Sequence, residues 1–276
     1  MGNKVTIKNS NGEALVMEIS VWKKVSRYMA VLLFITFLYW SFQYLHIPLR
    51  RFFTMWGPIG YKFYQLFLPP DIGYINNPKL LRSIVQTFQL AFLGTVVGLI
   101  ICVPLAWFAA INLTPSKFIL YPISRAIIIL SRSIYEIIWA ILFTMILGFG
   151  PLAGTLTCIL ATVGFSGKLM AEEIESIKMG PIEAIRASGG SEFDVFLYGI
   201  LPQVRVAWAG ISIYSWDSTF RLATILGYVG AGGIGVYLRE TIETLEYAKT
   251  GMTMIVIIGL VIVSELISAY ARKKIM

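Results

Sequence analysis

Long apolar runs recur along this chain and leave it no way to fold in water. Tyr28 to Leu45, Leu81 to Ile111, Phe118 to Gly148, Leu152 to Met170, Val204 to Leu226 and Met252 to Tyr270 are each nearly free of charge. A helix rises about 1.5 Å per residue, so roughly 20 such residues cross the hydrocarbon core of a bilayer. Of the 276 residues, 57% are hydrophobic and 14% charged, with a mean hydropathy of +0.74. A soluble domain carries about 25% charged residues. The runs are continuous and do not alternate with period two, which selects helices over a barrel. The expected fold class is an all-α, polytopic membrane protein with about six transmembrane helices.

The runs differ in ways that predict local structure. Gly94 and Gly98 in the second run form a small-xxx-small pair suited to close helix packing, and Pro104 lies further along the same run. Phe118 to Gly148 is too long for one straight span and is interrupted by Arg132 and Glu136, which predicts a broken or strongly tilted helix. Residues 49–79 interleave Arg50, Arg51 and Lys62 with Trp56, Tyr61 and Tyr64, a composition that favours the membrane interface. The first run ends in Tyr44-Leu-His-Ile-Pro48, without the small residues of a signal-peptide cleavage site, so it is expected to be retained.

Six spans put both termini on one side. That side carries 14 Lys and Arg, including Lys117, Arg125, Lys168, Lys178, Arg186 and Arg205, against seven on the other. The excess predicts cytoplasmic termini and a cytoplasmic segment between the fourth and fifth spans. The expected domains are a cytoplasmic N-terminal segment, 1–27, and a transmembrane domain, 28–276.

Several chemistries are excluded by what the chain lacks. No Gly-x-x-x-x-Gly-Lys-Ser/Thr is present; the nearest approach, Gly167-Lys168-Leu169, lies inside a span, so the chain is not expected to hydrolyse ATP or to act as an enzyme. The glycine-rich segment from Gly227 to Gly235 follows a membrane helix and not a strand, which argues against a dinucleotide loop. Cys102 and Cys158 sit in apolar runs and read as small buried hydrophobes. A single histidine, His46, supports no metal site. The net charge of +8 is distributed along the chain, a topology signal and not a nucleic-acid patch. No internal repeat is visible, against an ion-coupled secondary transporter, which remains the alternative of a different class. Two charge pairs lie inside spans, Arg132 with Glu136 and Asp217 with Arg221. Each is spaced i, i+4 and is expected to share a helix face. Charges at membrane depth are costly unless paired or facing a polar interior, so each pair is either structural or lines a translocation pathway.

The longest polar interruption in the second half, 180–203, decides the functional reading. Gly180-Pro181 starts a short helix, Glu183 suits its positive end, and Gly189-Gly190 joins it to a second. Glu183-Ala184, four residues, Gly189, nine residues and then Gly199-Ile200-Leu201-Pro202 resembles the EAA loop of ABC-transporter permeases. Ile185 stands where that family usually has a second alanine, and Gly199 where it often has isoleucine. Arg132 to Trp139, Gly148 to Gly154, Gly167 to Glu175 and Ala223 to Gly235 extend the resemblance, over roughly 80–270, to the phosphonate, phosphite and hypophosphite branch of binding-protein-dependent importers.

The resemblance implies a type I ABC importer permease fold and a homodimer or paired permease in the bacterial inner membrane. It implies two ATPase subunits holding ATP and Mg, with no cofactor in this chain, and a periplasmic binding protein that delivers the substrate. By the same resemblance Glu183, Ala184, Ser188, Gly189 and Gly190 would couple to the ATPase. Gly230, Gly232, Gly233 and Gly235 would form an external gate or binding-protein contact. Arg132, Glu136, Asp217 and Arg221 are the candidates for the pathway. Transport of another small solute such as methionine is the alternative within the class. Membrane lipids are the remaining expected partner, and no nucleic acid is expected.

Overall fold

The computed structural model describes residues 4–8, 14–18, 21–45 and 54–275. His46 and the aromatic-basic stretch from Arg50 to Phe53 lie outside the described residues. The chain divides into two compact units, Met1–Gln65 and Leu66–Met276. The first span therefore belongs to the N-terminal unit, where the sequence had placed the start of the membrane domain at residue 28.

In the first unit, β1 (Lys4–Lys8) and β2 (Ala14–Glu18) form an antiparallel hairpin in register Lys4 to Glu18, a feature not anticipated in the polar N-terminal segment. Helix α1 (Val21–Tyr44) begins seven residues before the predicted run. Its apolar stretch, Val25–Tyr44, buries no side chain against protein, as expected of a helix surrounded by lipid or by other chains. Helix α2 (Trp56–Phe67) occupies the predicted interfacial segment and also has no buried residue.

The second unit is a bundle. Helix α3 (Pro78–Ala109) starts at Asn77, whose side chain accepts a hydrogen bond from the Lys79 amide, with Pro78 in the first turn. Helices α4 (Leu120–Ser133) and α5 (Glu136–Leu147) meet at a bend of 92°, the broken helix expected between Phe118 and Gly148. Helix α6 (Pro151–Glu175) follows, then the short α7 (Gly180–Ala187). A helical turn, Glu192–Asp194, and a π-helical stretch, Val195–Ile200, run directly into α8 (Leu201–Leu226). Helices α9 (Gly235–Glu243) and α10 (Tyr247–Ile275) complete the chain. Among the described residues, five helices are long and apolar enough to cross a membrane, six if α4 and α5 count as one span. That agrees with the six runs.

Helix α6 is central, packed against α3, α4, α5 and α8. A Cβ added at Gly94 would lie 2.2 Å from Cys158 Cβ, and one at Gly98 would lie 2.6 Å from Thr162 Cβ, so the small pair on α3 sets how closely α6 approaches. Gly94→Leu should therefore destabilise the protein by about 3 kcal/mol or more, since backbone must shift to admit it. Gly259→Leu on α10, where nothing lies within 4 Å, should be neutral. Thermal unfolding of the two purified variants distinguishes them.

The core falls into two apolar clusters separated along α3, α6 and α8. One surrounds Ala106, Ile128, Met170, Ile182, Ile200 and Trp208, near the polar loop. The other surrounds Leu90, Ala153, Cys158, Phe220, Leu226 and Ala231, near the glycine-rich segment. Between them the same helices contribute buried Thr95, Thr162, Ser166, Ser215, Asp217 and Thr219. Thr162 and Thr219 hydroxyls lie 3.3 Å apart, while Thr95 Oγ1, Ser166 Oγ and Asp217 Oδ1 have no protein partner. A polar belt thus crosses the middle of the bundle.

Candidate functional site

The loop between α6 and α8 is a small, self-supporting unit. Ile182 is fully buried and Ile185 half-buried on the inner face of α7. They seat on Gly199, where an added Cβ would press within 3.2 Å of Ile182 and 3.3 Å of Ile185. The two departures from the motif thus meet in the structure: the isoleucine at 185 packs on the glycine at 199. Gly190 and Gly189 amides bond to the carbonyls of Ile185 and Arg186, and Gly189 has φ +82°, which makes this helix end a Schellman motif. Ser191 then caps the next helix, its hydroxyl accepting from the Asp194 amide while the Asp194 carboxylate accepts from the Ser191 amide. Instead of two separate short helices, the second continues through the π-helical stretch into α8.

Three contacts without a sequence pattern hold the loop in place. Arg186 binds Glu192 through two parallel bonds of 3.1 and 2.9 Å, across a six-residue spacing no helix rule would pair. Gln203 accepts from the Lys178 amide at 3.0 Å and donates to the carbonyls of Gly199 and Lys178, tying both ends of the loop to the start of α8. Glu175 accepts from the Ile111 amide and pairs with Arg125, which fixes the end of α6 to the turn after α3. The outer face is left open: Glu183, Ala184, Ser188 and Gly189 are exposed, and Gly190 half-buried. No hydrogen bond or ion pair engages the Glu183 carboxylate among the described residues.

In the polar belt, the two charge pairs fare differently. Arg221 bonds Asp217 at 2.9 Å, as their spacing on α8 predicted. Asp217 is 3% exposed and its second oxygen lacks a partner. Arg132 and Glu136 do not share a helix face. Arg132 lies in the last turn of α4 and Glu136 in the first turn of α5, on opposite sides of the 92° bend. Each charge complements the dipole of its own helix end, and that local gain replaces the expected pairing. Their substitutions should therefore add: a double-mutant cycle of Arg132→Gln and Glu136→Gln on thermal stability is expected to show coupling below about 0.5 kcal/mol.

The bend opens two cavities. One of about 310 Å³ lies among α5, α6 and α8, lined by Tyr135, Glu136, Phe165, Ser215, Ser218, Thr219 and Arg221. It presents one guanidinium, held by a buried carboxylate, and three hydroxyls from a single helix. Glu136 and Arg221 share it without an ion pair among the described residues. Arg132 lines a second cleft on the other side of the bend, with Arg125 and Lys168.

The glycine-rich segment closes the opposite end of the bundle. Gln86 and Thr87 of α3 accept from the amides of Gly233 and Ile234 at 3.1 and 2.8 Å, and the Gly150 amide donates to the Gly230 carbonyl. An added Cβ at Gly154 would lie 2.3 Å from the Ala231 carbonyl oxygen. Gly232, Gly233 and Gly235 are buried and Gly230 is half-buried beneath Phe149. These glycines are therefore packing positions, and the surface the segment offers comes from neighbours such as Tyr228, Val236 and Glu240. Arg239 lies beside them, its guanidinium held above its ordinary pKa by hydrogen bonding to, and the charge of, Glu243.

Comparison with known proteins agrees with this architecture. Residues 102–275 match the family model described as the binding-protein-dependent transport system inner membrane component. The phosphite transport system permease protein PtxC of Stutzerimonas stutzeri is 34% identical over 206 residues, 75% of this chain and 74% of that protein. The phosphate-import permease protein PhnE of Mycolicibacterium smegmatis is 34% identical over 227 residues, 82% of this chain; the match spans 42% of that protein's length. Among solved structures, the inward-facing MetNI methionine ABC transporter superposes with a TM-score of 0.60 at 20% identity, over 71% of this chain and 96% of that chain. A bacterial ABC transporter that imports alginate gives 0.55 at 16%, over 91% and 98%. Likeness at that identity speaks for the fold alone, a type I ABC importer permease fold, and not for methionine or alginate as cargo. The chain belongs to the family of inner-membrane components of binding-protein-dependent transport systems.

Proposed function

We propose that this chain is the permease of an ABC importer and forms, with a second permease, the translocation pathway for a small phosphorus oxyanion. ATP hydrolysis belongs to partner ATPase subunits, which dock on the exposed face of α7, and a periplasmic binding protein supplies the cargo. The relatives named for phosphite and phosphate favour this cargo over methionine. The observation that carries the reading is the Arg221 cavity. A guanidinium offers paired donors to a tetrahedral oxyanion, and Ser215, Ser218 and Thr219 supply hydroxyls beside it.

Coupling follows from helix continuity. The loop that would be gripped runs without a break into α8, and Gln203 clamps the two together. Arg221 lies 18 residues beyond Gln203, about 27 Å along one rigid helix. Movement of α7 is thus delivered to the cavity, with the π-helical stretch as the point that can flex. Alternating access of this kind asks for weak polar contacts in the pathway, because the cargo must also leave.

The deciding experiment reconstitutes permease, ATPase and binding protein in vesicles and measures ATPase stimulation and uptake with phosphite, methylphosphonate, inorganic phosphate and methionine. Stimulation by a phosphorus oxyanion alone is expected; stimulation by methionine alone would overturn the cargo. Orientation is tested by impermeant maleimide. Phe193→Cys should label only from the cytoplasmic side and Glu243→Cys only from the other, both positions being exposed. Labelling of both from one face would contradict the six-span count, and the reverse pattern would contradict cytoplasmic termini.

A further inference from the structure

The cleft on the far side of the bend is unexplained by the pathway just proposed. It has a volume of about 500 Å³ and is lined by Arg125, Ile128, Ile129, Arg132, Ser133 and Lys168. Three cations converge there from two helices, although like charges repel. Arg125 is fully engaged, donating to the Ala109 carbonyl at 2.8 Å and pairing with Glu175. Lys168 has a loose partner, Glu172 at 3.4 Å, with both side chains nearly half exposed. Arg132 has neither an ion pair nor a hydrogen bond among the described residues. The α4 dipole accounts for a cation at its C-terminal end but not for a second cation brought beside it from α6.

That convergence is built by close packing. At Gly164, an added Cβ would lie 3.0 Å from the Arg132 amide nitrogen, and at Gly167 it would lie 3.4 Å from Ile128. These two glycines draw α6 against the end of α4 and set Lys168, one residue further on, into the same cleft. Arg132 and Lys168 thus line one cleft with little neutralisation from the protein, and an anion between them would stabilise both. The fork of Arg132 and the point charge of Lys168 suit an anion with several oxygens on one centre.

We infer that Arg132 and Lys168 form a second anion site, beside Ser133 and distinct from the Arg221 cavity, that takes a phosphorus oxyanion. Its source is either the free ion or the phosphate of an anionic lipid headgroup. The proposed function enters only in the first case, where the cleft would be a second station for the cargo. Along α6 it lies nearer the coupling loop, Lys168 following Ala161 and Phe165 of the first cavity.

The test uses Ser133→Cys in the full complex, because Ser133 is exposed in the cleft whereas Cys102 and Cys158 are buried. The rate of modification by an anionic methanethiosulfonate is measured in two settings. In phosphatidylcholine vesicles, sodium phosphate or phosphite is compared with chloride at equal ionic strength. In the second setting phosphatidylglycerol is added to the vesicles without either anion. Several-fold slowing by phosphate or phosphite identifies the free ion; slowing by phosphatidylglycerol alone identifies the headgroup. Either supports the site, provided the slowing is lost when Arg132→Gln or Lys168→Gln is added. Absence of slowing in both settings, or slowing that survives both substitutions, overturns it. The readout needs no transport, so a complex that imports no phosphorus oxyanion yet shows the protection refutes the cargo and not the site.

Discussion

Arg221→Met combined with Asp217→Asn should assemble with the ATPase normally yet import phosphorus oxyanion about a hundredfold more slowly, the loss expected when one or two charge-assisted hydrogen bonds to the passing ion disappear. The single change Arg221→Met is expected to behave differently. Asp217 is 3% exposed, and among the described residues one of its oxygens lacks a partner and Arg221 is its only ion pair. Removing the guanidinium alone strands a buried carboxylate, which should cost about 3 kcal/mol, the lower end for a buried pair because Arg221 is itself half exposed. Low yield of the single variant and recovery in the double variant would separate the structural share of the pair from its share in transport. The measurements are complex yield by size exclusion and initial uptake rate. A well-assembled double variant that imports at the parental rate would sink the pathway role of Arg221 and leave the pair as a structural element.

Gly189→Arg should abolish substrate-stimulated ATP hydrolysis while the basal rate of the ATPase persists. Two effects combine at this position. Its backbone has φ +82°, a conformation that costs a residue with a Cβ about 1–2 kcal/mol. No atom lies within 4 Å of where that Cβ would sit, so an arginine projects outward from the loop into the space a docked subunit would fill. Gly189→Asn isolates the first effect, because asparagine tolerates the left-handed turn and is short. It should retain most of the stimulation. Loss of stimulation in both variants would assign the defect to the turn, and retention in both would remove docking through this face.

How much of this was legible beforehand follows from the range of the forces involved. Apolar runs of membrane-spanning length are read residue by residue, because each segment must satisfy its own backbone bonds in lipid. The spans, the break between Phe118 and Gly148, and the small-residue contact of Gly94 and Gly98 are all visible in that way. The polar loop was legible in part: the turn at Gly189-Gly190 ends a short helix as expected, whereas the capping box at Ser191 and the run of the second helix into α8 were not read. Asp217 with Arg221 held because α8 is unbroken and an i, i+4 rule applies wherever the helix continues.

The same rule failed at Arg132 and Glu136 because it presumes that continuity. The helix breaks at the two residues between α4 and α5, so each charge complements its own helix end and the two face different cavities. Gly232 and Gly233, expected with Gly230 and Gly235 to form an external gate or a binding-protein contact, are packed against Gln86, Thr87 and Pro151, residues distant in sequence that no local pattern links to them. The gathering of Lys168 beside Arg132, and the clamp of Gln203 on Lys178, depend on which helix lies against which. The amino-acid order alone determined the spans and the turns, whose energies are settled within a few residues of chain. Which charges meet was decided only by the tertiary structure, since a cavity exists where separate helices fail to fill space, and no single segment records that.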